Sequence, residues 1–350
     1  MINQEYKLLT IIIPCYNAEK YLTRCFKSLE ELDSKYISIL FINDGSIDLT
    51  KDIIEKWATK HCNVQIISQQ NSGYSMAINK GIDYSRSDYL MFLGVDDEIV
   101  PNNLNKICLC LENKRTDIIA FTTQMLYDDL KDLSNNQFDK MTVYKKPGSY
   151  SGNISDLYHL LGNDILILFM RDTSRIIKKS VIGNLRYFGR YGISADGCFS
   201  SLVAFKSHSF MFVNELCYIW HLHRDSVSGS YKTKEKLIDE AEVWEKYFNE
   251  LLCMKNLSQL PDPIIEHLAL YKRVVKKLYK LSEISLARHH DAIVKKYTQI
   301  IICSYIVTLK SLFKLLFFNE YILISDIILY IKIKLKGIIS LYRRYLMALK

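Results

Sequence analysis

The sequence predicts an α/β fold, a mainly parallel central sheet with helices on both faces, followed by a helical C-terminal region. Three observations carry this. Short β-rich apolar runs alternate with stretches of helical spacing through the first hundred residues. Two of the runs, ISILFINDGS (37–46) and YLMFLGVDDE (89–98), end on acids: Asp44, then Asp96 and Asp97. From about Tyr231 the spacing is helical throughout.

Residues 8–14 read as a first strand closed by Pro14, and 19–32 as a helix spaced through Tyr21, Leu22, Cys25, Phe26 and Leu29. The second strand is 37–43, and the second helix is 48–58 with Ser46 as its N-cap. A strand at 64–68, a helix at 72–84 and a strand at 89–94 complete the alternation. Residues 118–126 read as another strand, and the polar stretch 127–152 as a loop or excursion. Helical spacing at 154–161 precedes an apolar run at 165–170. A strand leading into a short helix is expected at 175–182, a helix at 196–205 and an extended segment at 210–220. No internal repeat is found.

A hydrophobic share of 49% in 350 residues supports a sizeable core. The net charge of +8 is uneven: eight Lys or Arg face only Glu320 and Asp326 in residues 299–350. That asymmetry argues against a nucleic-acid-binding core and for a basic appendage. The nine cysteines include no C-x-x-C pair and are expected as buried free thiols in a reducing compartment. Glu5 and Lys7 precede a short apolar run that Pro14 ends, unlike a signal peptide. No segment reaches the roughly 18 uncharged apolar residues of a spanning helix. A cytoplasmic chain is expected.

Acids at the carboxyl ends of parallel strands stand where open α/β sheets bind ligands, and suit a divalent cation and the phosphates it neutralises. Pro14, Tyr16 and Asn17 turn the chain at that edge and could hold a flat base; taken alone, they favour an ordinary β-to-α turn. Asp-Gly after a strand is usually a hairpin. Here a helix follows, so Asp44 projects at the sheet edge, able to accept from a nucleobase N–H. Adjacent carboxylates repel and are relieved by a cation or by solvent. Asp96 and Asp97 could therefore hold a metal, or simply begin a helix with acid.

Taken together and in order, IIIPCYN, NDGS, NSG with AINKG, and GVDD resemble the family 2 glycosyltransferases of the GT-A (Rossmann-like) fold, of bacterial polysaccharide type, over residues 7–101. The resemblance implies a domain at 1–225 that transfers a sugar from a nucleotide-sugar donor, with Mg2+ or Mn2+ at the diphosphate. It implies donor binding by Pro14, Tyr16, Asn17, Asp44, Asn71, Gly73, Asn79 and Asp96, with Asp44 on the nucleobase. Asp96 and Asp97 would be the metal side, either one ligating the ion. Two positions depart from the pattern: Gly94 replaces its first acid and Ile78 its arginine.

ISADGCFSSLVAF (193–205) resembles the family's Glu-Asp-x-x-Phe element, with Ala195 for Glu and Asp196 retained as general base. Asp196 could also serve as a helix N-cap. YIWHLHRDSVS (218–228) resembles the closing element; His221 and His223 share one face, and either could reach the metal or diphosphate, with Arg224 on phosphate. His289 and His290 are expected in solvent. Beyond 225 come a helical extension at 226–298 and a basic amphipathic helical tail at 299–350, suited to an anionic membrane surface. A packed subdomain or dimer interface would explain the tail otherwise. The expected function is an inverting transferase of cell-surface polysaccharide biosynthesis, peripheral on the inner face of the cell membrane, with a glycan or lipid-linked acceptor. The alternative is a catalytically impaired GT-A-like scaffold module of a membrane-associated assembly complex.

Overall fold

The apolar run LTIIIPC forms β1 (Leu9–Cys15), and all seven of its residues are buried. The computed structural model describes residues 6–111, 116–128, 140–152, 154–161, 163–169, 171–192, 194–223, 233–254 and 262–304. The chain divides into two compact units, 1–243 and 244–350.

In the first unit, β1 is followed by α1 (Leu22–Leu29), β2 (Ile37–Asn43), α2 (Thr50–Ala58), β3 (Val64–Ser68), α3 (Tyr74–Tyr84) and β4 (Tyr89–Phe92). These four strands lie parallel in the order β3-β2-β1-β4. Side chains alternate across a strand. Ile11 and Ile13 accordingly join Leu22 and Phe26 of α1 and Ile54 of α2 in one core. On the way back from β3 to β4 the chain crosses as α3, which packs on β1 and β2. A right-handed crossover in that reversed direction puts α3 on the opposite face.

The sheet then extends through β5 (Glu98–Ile99), α4 (Pro101–Leu111), β6 (Ile118–Tyr127), β7 (Lys140–Met141) and β8 (Gly148–Ser151). Next are α5 (Ile154–Leu161), α6 (Asn163–Leu166) with a 3-10 turn, β9 (Arg175–Lys178), α7 (Lys179–Ile182), α8 (Ala195–Lys206) and β10 (Ser209–Leu222). The path through the sheet is β3-β2-β1-β4-β9-β6-β10-β5. β9 runs antiparallel to both β4 and β6, and β10 runs parallel to β6. Strands β1 to β4, β6 and β10 therefore share one direction, and β5, β7, β8 and β9 oppose it.

Several boundaries move for physical reasons. β1 runs one residue past Pro14. Ile12 accepts from Leu93 N on the β4 side, so Pro14, two residues on, turns its missing N–H to that side. The β1–β4 pairing has already ended at Phe92, so no ladder bond is lost. Ser46 does not cap α2. The helix starts at Thr50, whose N–H is taken by Asp48 Oδ1 at 3.0 Å, while Ser46 Oγ accepts from Asn17 N at 3.1 Å. The polar excursion after β6 is not all loop, since β7 pairs with β6 and β8 with β10.

The boundary between units falls inside α9 (Lys234–Cys253), after which come α10 (Asp262–Lys280) and α11 (Ile284–Ser304). The expected divisions at 225 and 298 mark changes of pattern in the sequence; residues 224–232 and 305–350, with Arg224 and most of the tail, lie outside the described residues. Within the second unit Phe248 stacks on Tyr297 with ring centres 4.9 Å apart. His290 is buried rather than solvated, its Nδ1 2.6 Å from Tyr271 Oη, because α11 turns it toward α10. His289 stays exposed, and with His290 and Glu245 forms the one group of three metal-ligating side chains among the described residues.

Cys15, Cys25, Cys108, Cys198 and Cys217 are buried free thiols, but Cys62, Cys110 and Cys253 are exposed. No described helix is long and apolar enough to cross a membrane.

Candidate active site

The loops after β1 and β2 are stitched together at the carboxyl edge of the sheet. Asn17, at φ 48°, gives its N–H to Ser46 and accepts from Ile47 N at 2.9 Å. Ala18 N donates to Thr50 Oγ1 at 2.7 Å, and Glu19 exchanges bonds with Asp48 and Leu49. Pro14 is buried within β1, while Tyr16, two residues on, is 50% exposed, and Asn17 is exposed as well.

Asp44 is only 3% exposed. Its Oδ1 accepts from Gln69 Nε2 at 2.8 Å and Ser72 N at 2.9 Å, and its Oδ2 from Gly73 N at 2.8 Å. The carboxylate thus ties down the loop that carries Asn71 and Gly73. Gly73 has φ 93°, and a Cβ there would collide with the Arg190 carbonyl, so only glycine fits. Arg190 also reaches Asn71 Oδ1 at 3.2 Å. Asn79 spends both ends of its amide on the Tyr187 backbone, at 3.0 and 2.8 Å. Asn79, expected at the donor, thereby clamps α3 to the loop before α8. Ile78 is buried in the core face of α3.

The β4 edge is built differently. Asp97 is 4% exposed, with Oδ1 accepting from His221 N at 2.9 Å and Oδ2 from the Tyr218 hydroxyl. Burial, and then the Asp96 charge, push its carboxyl well above the usual range. Each oxygen thus already serves one protein donor, which ties Asp97, expected on the metal side, to β10. Asp96 stays open: its Oδ2 stands 2.9 Å from His223 Nε2, and its carbonyl accepts from Arg24 Nη2 at 2.5 Å. His223 Nδ1 lies 3.2 Å from Tyr21 Oη.

Both ring nitrogens of His221 face carboxylates. Its Nδ1 meets Asp128 Oδ1 and its Nε2 meets Glu98 Oε1, each at 2.6 Å. Asp128 also accepts from Arg24 Nη1 at 2.8 Å. Burial works against the Asp128 charge, but the bonds from Arg24 and His221 prevail and hold it below the usual carboxylate range. Arg24, Glu98, Asp128 and Tyr218 were not foreseen. The rule that picked out Asp44 and Asp96, acid at the tip of an apolar strand, applies equally to Asp128 after β6.

Gly94 has a local reason. A Cβ there would lie 2.6 Å from Asp97 Oδ2 and 2.8 Å from Asp96 Oδ1. Its N–H donates to Tyr218 Oη at 3.2 Å.

Asp196 lies in the first turn of α8. The N-cap position is Ser194, in the left-handed region at φ 59°, and no side chain caps the helix. Asp196 Oδ1 instead accepts from Gly197 N at 2.8 Å. Burial, then the neighbouring Asp172 charge, raise its carboxyl to about 7. The charges of Asp196 and Asp97 both act on Tyr74 and on Arg171.

Residues 10–176 match the family model described as Glycosyl transferase family 2. Among relatives, glycosyltransferase GlyA of Streptococcus pneumoniae is 24% identical over 271 residues, 77% of this chain and 37% of that protein. The minor teichoic acid biosynthesis protein GgaB of Bacillus subtilis is 23% identical over 234 residues, 64% of this chain and 24% of that protein. The chain thus spans well under half the length of these two relatives. The structure of S. aureus TarS 1–349 in complex with UDP-GlcNAc superposes with a TM-score of 0.59 at 17% identity, covering 84% of this chain and 90% of that one. The likeness shows a shared fold.

Proposed function

We propose, from the premise that residues 10–176 belong to glycosyl transferase family 2, that this chain moves a sugar from a nucleoside-diphosphate sugar to a hydroxyl of a glycan or lipid-linked acceptor, in the synthesis of a cell-surface glycan. The observation that carries the reading is the approach of Asp96 Oδ2 and His223 Nε2 to 2.9 Å at the carboxyl edge of a parallel sheet.

The pair fits a divalent cation. Tyr21 and Arg24 hold its two members from behind, as outer contacts orient metal ligands. An imidazole in the set favours Mn2+ over Mg2+, which keeps to oxygen and water. When bound, such a cation neutralises the charge developing on the departing diphosphate. The chain's own groups do the rest. Exposed Tyr16 offers a face for the base, and Asp44 holds the loop of Asn71 and Gly73 in place beside it. Asp196, held near 7, takes the proton from the acceptor hydroxyl as its oxygen attacks the anomeric carbon. Attack opposite the diphosphate inverts that carbon.

A thermal-shift screen of nucleotide sugars with Mn2+ should find one that stabilises the protein. Asp196→Asn should keep that shift and lose sugar transfer by about 10²–10⁴-fold. Full transfer by the variant removes the assignment of the base. No shift with any nucleotide sugar favours the scaffold alternative.

A further inference from the structure

Arg171 precedes β9, and its guanidinium carbon lies 3.9 Å from the centre of the Trp220 ring. Stacking of this kind fixes the plane of the guanidinium and leaves its N–H edge available. Nearby arginines use that edge: Arg24 on Asp128, Arg186 on Asp83, Arg190 on Asn71. Arg171 does not. Among the described residues its side chain has no hydrogen-bond or ion-pair partner, although it is partly buried.

Acids surround it without closing on it. Asp196 acts on it most strongly, followed among the carboxylates by Asp97 and Asp172, and none comes within ion-pair distance. Its nitrogens are not among the buried unpartnered atoms, so they keep access to solvent, and an anionic ligand reaching them would gain charge-assisted hydrogen bonds. Asp172, next in the chain, accepts from the Tyr187 hydroxyl, and Tyr187 stacks on Phe199 of α8 with ring centres 4.2 Å apart, so Arg171 lies on the side of the helix whose first turn carries Asp196.

We infer that Arg171, laid on Trp220, binds an oxyanion of the acceptor, so that the acceptor carries a phosphate or carboxylate close to the hydroxyl it presents to Asp196. This rests on Asp196 being the base. One acceptor would then be gripped at two points, its hydroxyl by a carboxylate and its anion by a guanidinium.

The full chain, with UDP and Mn2+, is titrated with glycerol 3-phosphate and glucuronate, and with their neutral counterparts glycerol and glucose, by ligand-observed NMR. At least one anion should bind about tenfold tighter than its counterpart, the worth of a charge-assisted hydrogen bond. The phosphate and carboxylate arms say which source the site takes. Arg171→Gln should erase the difference, and Arg171→Lys should keep part of it. Equal binding of anion and counterpart, or binding of neither anion, overturns the inference. So does an Arg171→Gln variant that loses UDP affinity about tenfold instead, since the arginine would then serve the donor. Failure of the underlying reading is seen separately, as absence of any nucleotide-sugar shift in the unaltered protein.

Discussion

The edge after β2 and the edge after β4 both end in acid, and they use it in opposite ways. After β2, Asp44 is spent on its own chain, holding Gln69, Ser72 and Gly73. After β4 the work is divided between adjacent residues. Asp97 is closed by Tyr218 and His221, and Asp96 is left to His223 and the cleft. A carboxylate's chemistry therefore depends on how many protein donors its oxygens already serve. Position at a strand tip alone does not decide it.

Replacement of Asp96 by Ala gives the largest effect. Stabilisation by nucleotide sugar with Mn2+ should disappear and turnover should fall about a hundredfold or more, while the unliganded protein melts within a few degrees of the original. Retention of the Mn2+-dependent shift would break the contrast.

At Asp97 the pattern should reverse. Asparagine can still accept from His221 N and face Tyr218 Oη, so Asp97→Asn should bind donor and melt almost normally. Asp97→Ala strands both donors and should cost about 1–3 kcal/mol, a drop of several degrees in Tm. Loss of Mn2+-dependent binding in Asp97→Asn would make Asp97 a ligand after all.

The smallest effect is a slope. Asp196 is raised from 3.8 to about 7, by burial first and Asp172 second, so the folded state keeps a proton that the unfolded chain releases. Its contribution to stability is full below 3.8 and is lost as pH rises through about 7. Asp196→Asn should remove that decline, and its advantage in Tm should grow across this window. Parallel curves for the two proteins would mean that Asp196 is not held in this way.

The sheet was legible because its strands announce themselves locally. Apolar β-rich runs between helical spacings give β1 to β4, and acid at their tips gives Asp44 and Asp96. What the sequence hid is pairing at a distance. Arg24 meets Asp128, and Asp97 meets Tyr218, across separations of 104 and 121 residues, with no local sign. Asp128 does carry such a sign, but it opens a long polar stretch in which one acid after a strand does not stand out. Asn79 shows the converse: a residue inside a recognisable motif, used here to clamp Tyr187.

Gly94 bears on how this loop answers substitution. A Cβ at that position would lie 2.6 Å from Asp97 Oδ2 and 2.8 Å from Asp96 Oδ1, both at the free ends of side chains, so the loop yields by turning those carboxylates. Turning Asp97 loosens its bonds to Tyr218 and His221. A change at residue 94 is therefore felt first in β10, more than a hundred residues along the chain.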